Sequence, residues 1–130
     1  MVVLTKQQTG EMIAHAKAEA PAEACGLMAG VDNKVVKLYQ TTNEAKSDKH
    51  YLVSPKEQFD IFKQIRKDDM ELLGIYHSHV ASPPYPSATD CEMAVYDVHY
   101  FIVSLQDDEQ SIKAYKIKDK EIEEKDFQVE

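Results

Sequence analysis

LLGIYHSHVASPPYPSATD runs from Leu72 to Asp90. Leu72 to His79 is apolar until it reaches His77-Ser78-His79, and it has the length of one buried strand. Val80 to Pro86 holds Pro83, Pro84 and Pro86, which stiffen a loop and cannot continue a ladder. Ser87-Ala88-Thr89-Asp90 has the form of a helix start, with Ser87 as N-cap and Asp90 favoured by the helix dipole. The stretch therefore reads as strand, loop and helix. A strand feeding a helix in a short chain points to a layered α/β fold.

Toward the N-terminus, Thr5 followed by Gln8 is a capping-box pattern. A helix is expected from there to about Ala20, with Met12, Ile13, Ala16 and Ala20 on its buried face and Pro21 ending it. Cys25 to Val31 reads as a buried strand. Lys34 to Thr41 alternates and forms its hairpin partner across a turn at Asp32-Asn33. Thr42 to Lys49 is a polar loop, and Tyr51 to Val53 a short strand. Ser54-Pro55 opens a second helix, with Ser54 as N-cap, Glu57 at the third position and Phe59, Phe62 and Ile65 on the core face, ending near Asp69. After Asp90 the third helix is expected to reach about Val95. Tyr100 to Leu105 and Ser111 to Lys118 are strands joined by the acidic, solvated turn Gln106 to Gln110. The charged tail from Asp119 frays or adds an edge strand. There is no repeat, linker or low-complexity tract, so residues 1–130 are expected to form a single α/β domain, a mixed, mostly antiparallel curved sheet with about three helices.

The chain has 130 residues, 43% of them hydrophobic, which suits one ordinary globular core. With 15 basic and 23 acidic side chains its net charge is −8, which argues against nucleic acid and against a polybasic membrane contact. No apolar run approaches the ~20 residues of a membrane span. MVVLTKQQTG lacks the pattern of a secretion signal. Cys25 and Cys91 form no CxxC pair, and two reduced thiols in a cytoplasmic protein are expected.

His77 and His79 are two apart, so on a strand both imidazoles face one side. At a strand end they could share a metal ion, although such a triplet is also often just a polar strand end. Asp90 completes a possible set of three ligands, the number a catalytic zinc keeps beside one open position. The same Asp90 also serves the helix start, and the two roles are compatible. A hydrolytic metal needs a general base, and Glu23, at the junction of the first helix and an apolar strand, is the best candidate. Taken alone, Glu23 reads as a solvated loop residue, the usual fate of a lone Glu after Pro-Ala.

The combined pattern resembles the JAMM (MPN+) zinc metallopeptidases, in their minimal prokaryotic (archaeal or bacterial) form. It consists of Glu23 before Cys25-Gly26-Leu27-x-x-Gly30, then His77-Ser78-His79, seven residues, Ser87, two residues and Asp90. The likeness covers almost the whole chain, including YLVSP before a helix, LLGIYHSH, YFIVSL and IKAYKI. It implies that His77, His79 and Asp90 bind Zn2+. It also implies that Glu23 activates the zinc-bound water and that Ser87 stabilises the oxyanion. Val80 stands where the family commonly has proline, which touches loop geometry and no ligand. Cys25 reads as a packed side chain, Cys91 points away from the metal, and His15, His50 and His99 carry no pattern.

The resemblance further implies hydrolysis of the bond after the C-terminal Gly-Gly of a ubiquitin-like protein. The bond is either an isopeptide or peptide to a modifier, or the C-terminal adduct of a sulfur carrier. Short connections around the site leave no insertion for selecting a chain linkage. The alternative from another class is a non-catalytic module that binds ubiquitin-like proteins.

Overall fold

In the computed structural model, which describes residues 1–107 and 109–130, the elements follow the order β1 (Val2–Leu4), α1 (Lys6–Glu19), β2 (Cys25–Val31), β3 (Lys34–Thr41), α2 (Pro55–Lys67), β4 (Glu71–His79), α3 (Ala88–Met93), β5 (His99–Ser104), β6 (Ser111–Lys118), β7 (Glu121–Lys125) and β8 (Phe127–Val129). The expected turn Gln106 to Gln110 crosses Asp108, which lies outside the described residues.

Local chemistry sets the element ends. Thr5 Oγ1 accepts from the Gln8 backbone N–H at 3.1 Å, and Gln8 Oε1 accepts from the Thr5 N–H at 2.9 Å, so α1 starts in a full capping box. Asp32 and Asn33 take φ of 52° and 64°, the left-handed pair a tight two-residue hairpin turn requires between β2 and β3. Ser54 Oγ accepts from Glu57 N–H at 3.4 Å and Pro55 occupies the first turn of α2.

The strands form one mixed sheet in the order β7-β6-β5-β4-β2-β3-β1-β8. β4 is central: it runs antiparallel to β2, with Cys25 opposite His77, and parallel to β5, with Ile102 opposite His77. The two ends of that order are consecutive in sequence, since only Asp126 separates β7 from β8. Two residues span at most about 7 Å, so the sheet must curl until its edges nearly meet.

Each face of the sheet has its own core. Met12 and Ala16 of α1 cover one face, against Met28, Tyr76, Phe101 and Val103. Ile61 and Ile65 of α2 cover the other, with Leu27, Ile75, Tyr100 and Ile102. Alternation along β5 sends Phe101 and Val103 one way and Tyr100 and Ile102 the other, as the pleat demands. Gly26 is needed where it stands: a Cβ there would lie 2.3 Å from the Tyr76 ring.

Several expectations are corrected. Phe59 is 64% exposed; the buried face of α2 is the i, i+4 pair Ile61 and Ile65, with Phe62 packed beside it. Ala20 caps α1 and is exposed, while His15 takes a buried place on that helix. Tyr51 to Val53 is no strand but a single bridge, Val53 to Asn43, because Ser54 and Pro55 begin α2 at once. α3 stops at Met93, where no basic residue holds its last carbonyls and Tyr96 N–H is taken by the Tyr100 hydroxyl. β1 was not expected at all. Three residues show no periodicity, and β1 exists by pairing with β8 and β3, beyond the reach of local pattern. The tail does add edge strands, one at each end of the sheet order.

Candidate metal centre

β4 presents His77 and His79 on one face, and Ser78 between them on the other. Ser78 binds the chain beside Glu23 twice: its Oγ accepts from Ala24 N–H at 2.7 Å, and its N–H donates to the Ala24 carbonyl at 3.0 Å. The residue between the histidines thus fixes the segment that carries the candidate base to the strand that carries two candidate ligands. Sequence reasoning gave Ser78 no role. Tyr51 was also missed; its ring stacks on His77 with centroids 4.5 Å apart and 22° between planes.

The proline loop folds back over the strand end. His79 Nδ1 donates to the Pro83 carbonyl at 2.8 Å, Ser104 Oγ to the Ser82 carbonyl at 2.7 Å, and the Tyr115 hydroxyl to the Pro84 carbonyl. With Nδ1 donating to the Pro83 carbonyl, His79 turns Nε2 toward Asp90, and Nε2 is the nitrogen a neutral ring can offer to a cation. The loop delivers the start of α3, where a second capping box is complete. Asp90 N–H donates to Ser87 Oγ at 3.1 Å, and Ser87 N–H donates to Asp90 Oδ2 at 2.9 Å. The cap and the carboxylate are one device: the bond that starts the helix also aims Asp90.

The result is a small triangle. His77 Nε2 and His79 Nε2 are 3.2 Å apart, and each lies 3.1 Å from Asp90 Oδ2. Such edges are close to those of a tetrahedral face built on metal–ligand bonds of ~2.0–2.1 Å. All three residues are buried. Burial alone would raise the Asp90 carboxyl, but hydrogen bonds from both histidines and the Ser87 amide hold it far below the usual carboxylate range. Burial lowers His77 despite Asp90, whereas His79, also opposed by burial, is carried upward by Asp90 and the Pro83 carbonyl. Two ring nitrogens facing each other beside an ionised carboxylate form a pocket for a cation. The donor set fits a metal ion.

Glu23 is 3% exposed, and its Oε1 has no hydrogen-bond partner among the described residues. Burial pushes its carboxyl up to about 8, against the pull of His79 and with the push of Asp90. Its charge therefore feels two members of the triangle directly. A buried carboxyl with one oxygen unpartnered, coupled by charge to His79 and Asp90, is a candidate for proton transfer at this centre. Of the five residues singled out in the sequence, His77, His79 and Asp90 meet atom to atom, Ser87 joins them through Asp90, and Glu23 is coupled to them by charge. Cys25 is buried against Thr41, with burial lifting its thiol to about 11, so it is an inert packed side chain. Cys91 is partly buried and packs against the core on the α2 side of the sheet.

An apolar cavity of about 370 Å³ is lined by Tyr51, Leu52, Gln58, Met93, Val95 and Tyr96 among others; it reaches the centre through Tyr51 and is lined by none of the triangle's residues. No helix among the described residues is long and apolar enough to cross a membrane.

The family described as prokaryotic homologs of the JAB domain matches residues 5–118. A protein of Mycobacterium tuberculosis named CysO-cysteine peptidase is 32% identical over 123 residues, covering 92% of this chain and 84% of that protein. A desampylase of Pyrococcus furiosus is 34% identical over 83 residues, 63% of this chain and 59% of that protein. The solution structure of protein DSY2949 from Desulfitobacterium hafniense is 35% identical, with a TM-score of 0.90 over 100% of this chain and 93% of that one.

Proposed function

The chain belongs to the prokaryotic homologs of the JAB domain, the JAMM peptidases, and from that premise we propose that it is a zinc-dependent hydrolase of the bond after a C-terminal Gly-Gly tail on a ubiquitin-like modifier or sulfur-carrier protein. The observation that carries this reading is the buried triangle of His77, His79 and Asp90 beside the unpartnered carboxyl of Glu23. Two imidazoles and one carboxylate suit zinc with one open position. A zinc ion held there supplies Lewis acidity, lowering the pKa of a bound water and polarising the scissile carbonyl.

The remaining work falls to the chain's own groups. Glu23 takes the proton from the attacking water and passes it to the leaving amine. Its burial, its unpartnered Oε1 and its coupling to His79 and Asp90 support that role. Ser87 Oγ accepts the cap bond from Asp90 N–H through a lone pair, which leaves the hydroxyl proton free to meet the developing oxyanion. Ser87→Ala is expected to keep its zinc and lower kcat by ~10²-fold. An unchanged kcat would leave Ser87 as a helix cap alone.

The relatives' names support the substrate class. One sets its bond between CysO and cysteine, and the other is a desampylase. The scaffold alternative has little support, since no ligand position is missing. In so short a chain the site has room for a narrow tail and few side-chain pockets, so affinity is expected to come from the body of the partner docking beside the cleft. The test is kcat/KM for a folded ubiquitin-like domain carrying a Gly-Gly-linked adduct, set against a free peptide with the same last residues. The folded substrate is expected to win by about 10²-fold or more. Equal values would make the protein a general small-peptide hydrolase. Release of a single C-terminal amino acid with lysine isopeptides untouched would select the sulfur-carrier branch.

A further inference from the structure

The polar loop after β3 contains one buried side chain, and three of its four hydrogen bonds lead toward the site. Asn43 is 6% exposed. Its Nδ2 donates to the Glu23 carbonyl at 3.0 Å and to the His50 carbonyl at 3.1 Å. Its Oδ1 accepts from the N–H groups of Ala45 and Leu52, both at 3.0 Å. Two donated and two accepted bonds exhaust the capacity of a primary amide, so no part of this side chain is spare. A loop that needed only solvation would have no reason to bury it.

The four partners are not scattered. His50 and Leu52 flank Tyr51, the residue whose ring lies on His77. Glu23 is the buried carboxyl beside the triangle, and its own N–H donates to the Ser47 carbonyl at 2.8 Å, in the same turn. The Asn43 backbone closes the arrangement, bridging to Val53 and accepting from Lys46 N–H at 3.1 Å. One amide thus grips the chain at the candidate base and on both sides of the ring that backs a candidate ligand. From the other side, Ser78 holds Ala24. The Glu23 segment is fixed between β4 and the Asn43 turn.

We propose that Asn43 is a positioning residue that holds Glu23 in its working place against the metal centre, and steadies His77 through Tyr51. The inference rests on the reading of Glu23 as the base. It assigns Asn43 no contact with substrate. Its effect is expected in kcat rather than KM, because displacing a proton carrier by about 1 Å costs rate far more than binding.

Asn43→Asp separates the functions of the amide. The substitution keeps an oxygen for Ala45 and Leu52 and replaces the two donors with an oxygen facing the carbonyls of Glu23 and His50. Zinc content is expected to stay near wild type. By chelator competition zinc affinity should fall by less than about tenfold, smaller than the loss of a ligand. At equal zinc loading kcat is expected to fall ~30-fold or more, with KM within about threefold. In a Glu23→Gln background the same substitution should cost under about threefold, because there is no base left to misplace. Equal losses in both backgrounds, or kcat retained in the single variant, would overturn the positioning role. Glu23→Gln alone turning over like wild type would instead overturn the base reading, and this inference with it. If Asn43→Asp does not fold, Asn43→Ser, which removes the amide and adds no charge, carries the same comparison.

Discussion

Glu23→Gln is expected to retain its metal and lose turnover by about 10³-fold. The amide matches the carboxyl in shape, so the junction between α1 and β2 is undisturbed. None of the triangle's atoms comes from Glu23, so metal content should not change. What disappears is the capacity to take a proton at neutral pH. A second readout follows from burial. In the metal-free fold the Glu23 carboxyl sits at about 8, against an ordinary 4.5, and burial is the main cause. The folded state therefore holds a proton that the unfolded chain gives up. Below pH 4.5 both states are protonated and nothing is lost; between 4.5 and 8 stability falls as the unfolded chain ionises; above 8 the penalty is complete. Removing the ionisable group removes that penalty. Metal-free Glu23→Gln should melt level with wild type near pH 4 and several degrees above it at pH 9. Calorimetry at the two values checks it. A variant with normal turnover would show that another group is the base, and equal melting shifts at both values would show that Glu23 is solvated after all.

How much of this was legible depends on the range of the signal. Caps are local, and Thr5, Ser54 and Ser87 each begin a helix where the sequence placed them. The hairpin at Asp32-Asn33 was also readable, since the φ > 0 pair is written in its residue types. The triangle was readable for the same reason: two of its corners come from strand alternation and the third from a cap. The supporting groups were not. Ser78, Tyr51 and Asn43 act through partners 54, 26 and 20 residues away. Nothing in their own surroundings distinguishes them from polar or aromatic filler. On α2 the expected core residue Phe59 is exposed, because Ile61 and Ile65, one turn apart, take the buried face. Closure of the sheet was equally invisible, because it depends on β7 and β8 serving opposite ends of the strand order.

The last expectation concerns the ligands themselves. His77→Ala and Asp90→Ala should each lower zinc affinity by more than about 100-fold, beyond the 10–100-fold typical of losing a supporting partner. Each variant also removes something else, so the pair must be read with controls. Asp90 Oδ2 accepts the Ser87 N–H, and its loss opens one half of the α3 capping box. Asp90→Asn keeps a carbonyl oxygen for that bond and removes only the charge, so helix start and metal binding come apart. His77→Ala removes the partner of the Tyr51 ring and leaves a void in a fully packed part of the sheet. His77→Gln fills most of that space without an imidazole. If the centre is a zinc site, all four variants lose most of the metal by elemental analysis, and the two conservative ones keep melting temperatures nearer wild type than the alanines. If the triangle is only a buried hydrogen-bond cluster, the wild type takes up no stoichiometric zinc. Asp90→Asn then costs as much stability as Asp90→Ala, because a neutral amide cannot replace an anion shared by two imidazoles. Full zinc in both alanine variants would place the metal elsewhere in the fold. A zinc-loaded wild type beside zinc-poor Asp90→Asn ties the metal to the carboxylate itself, since the helix that carries it is still capped.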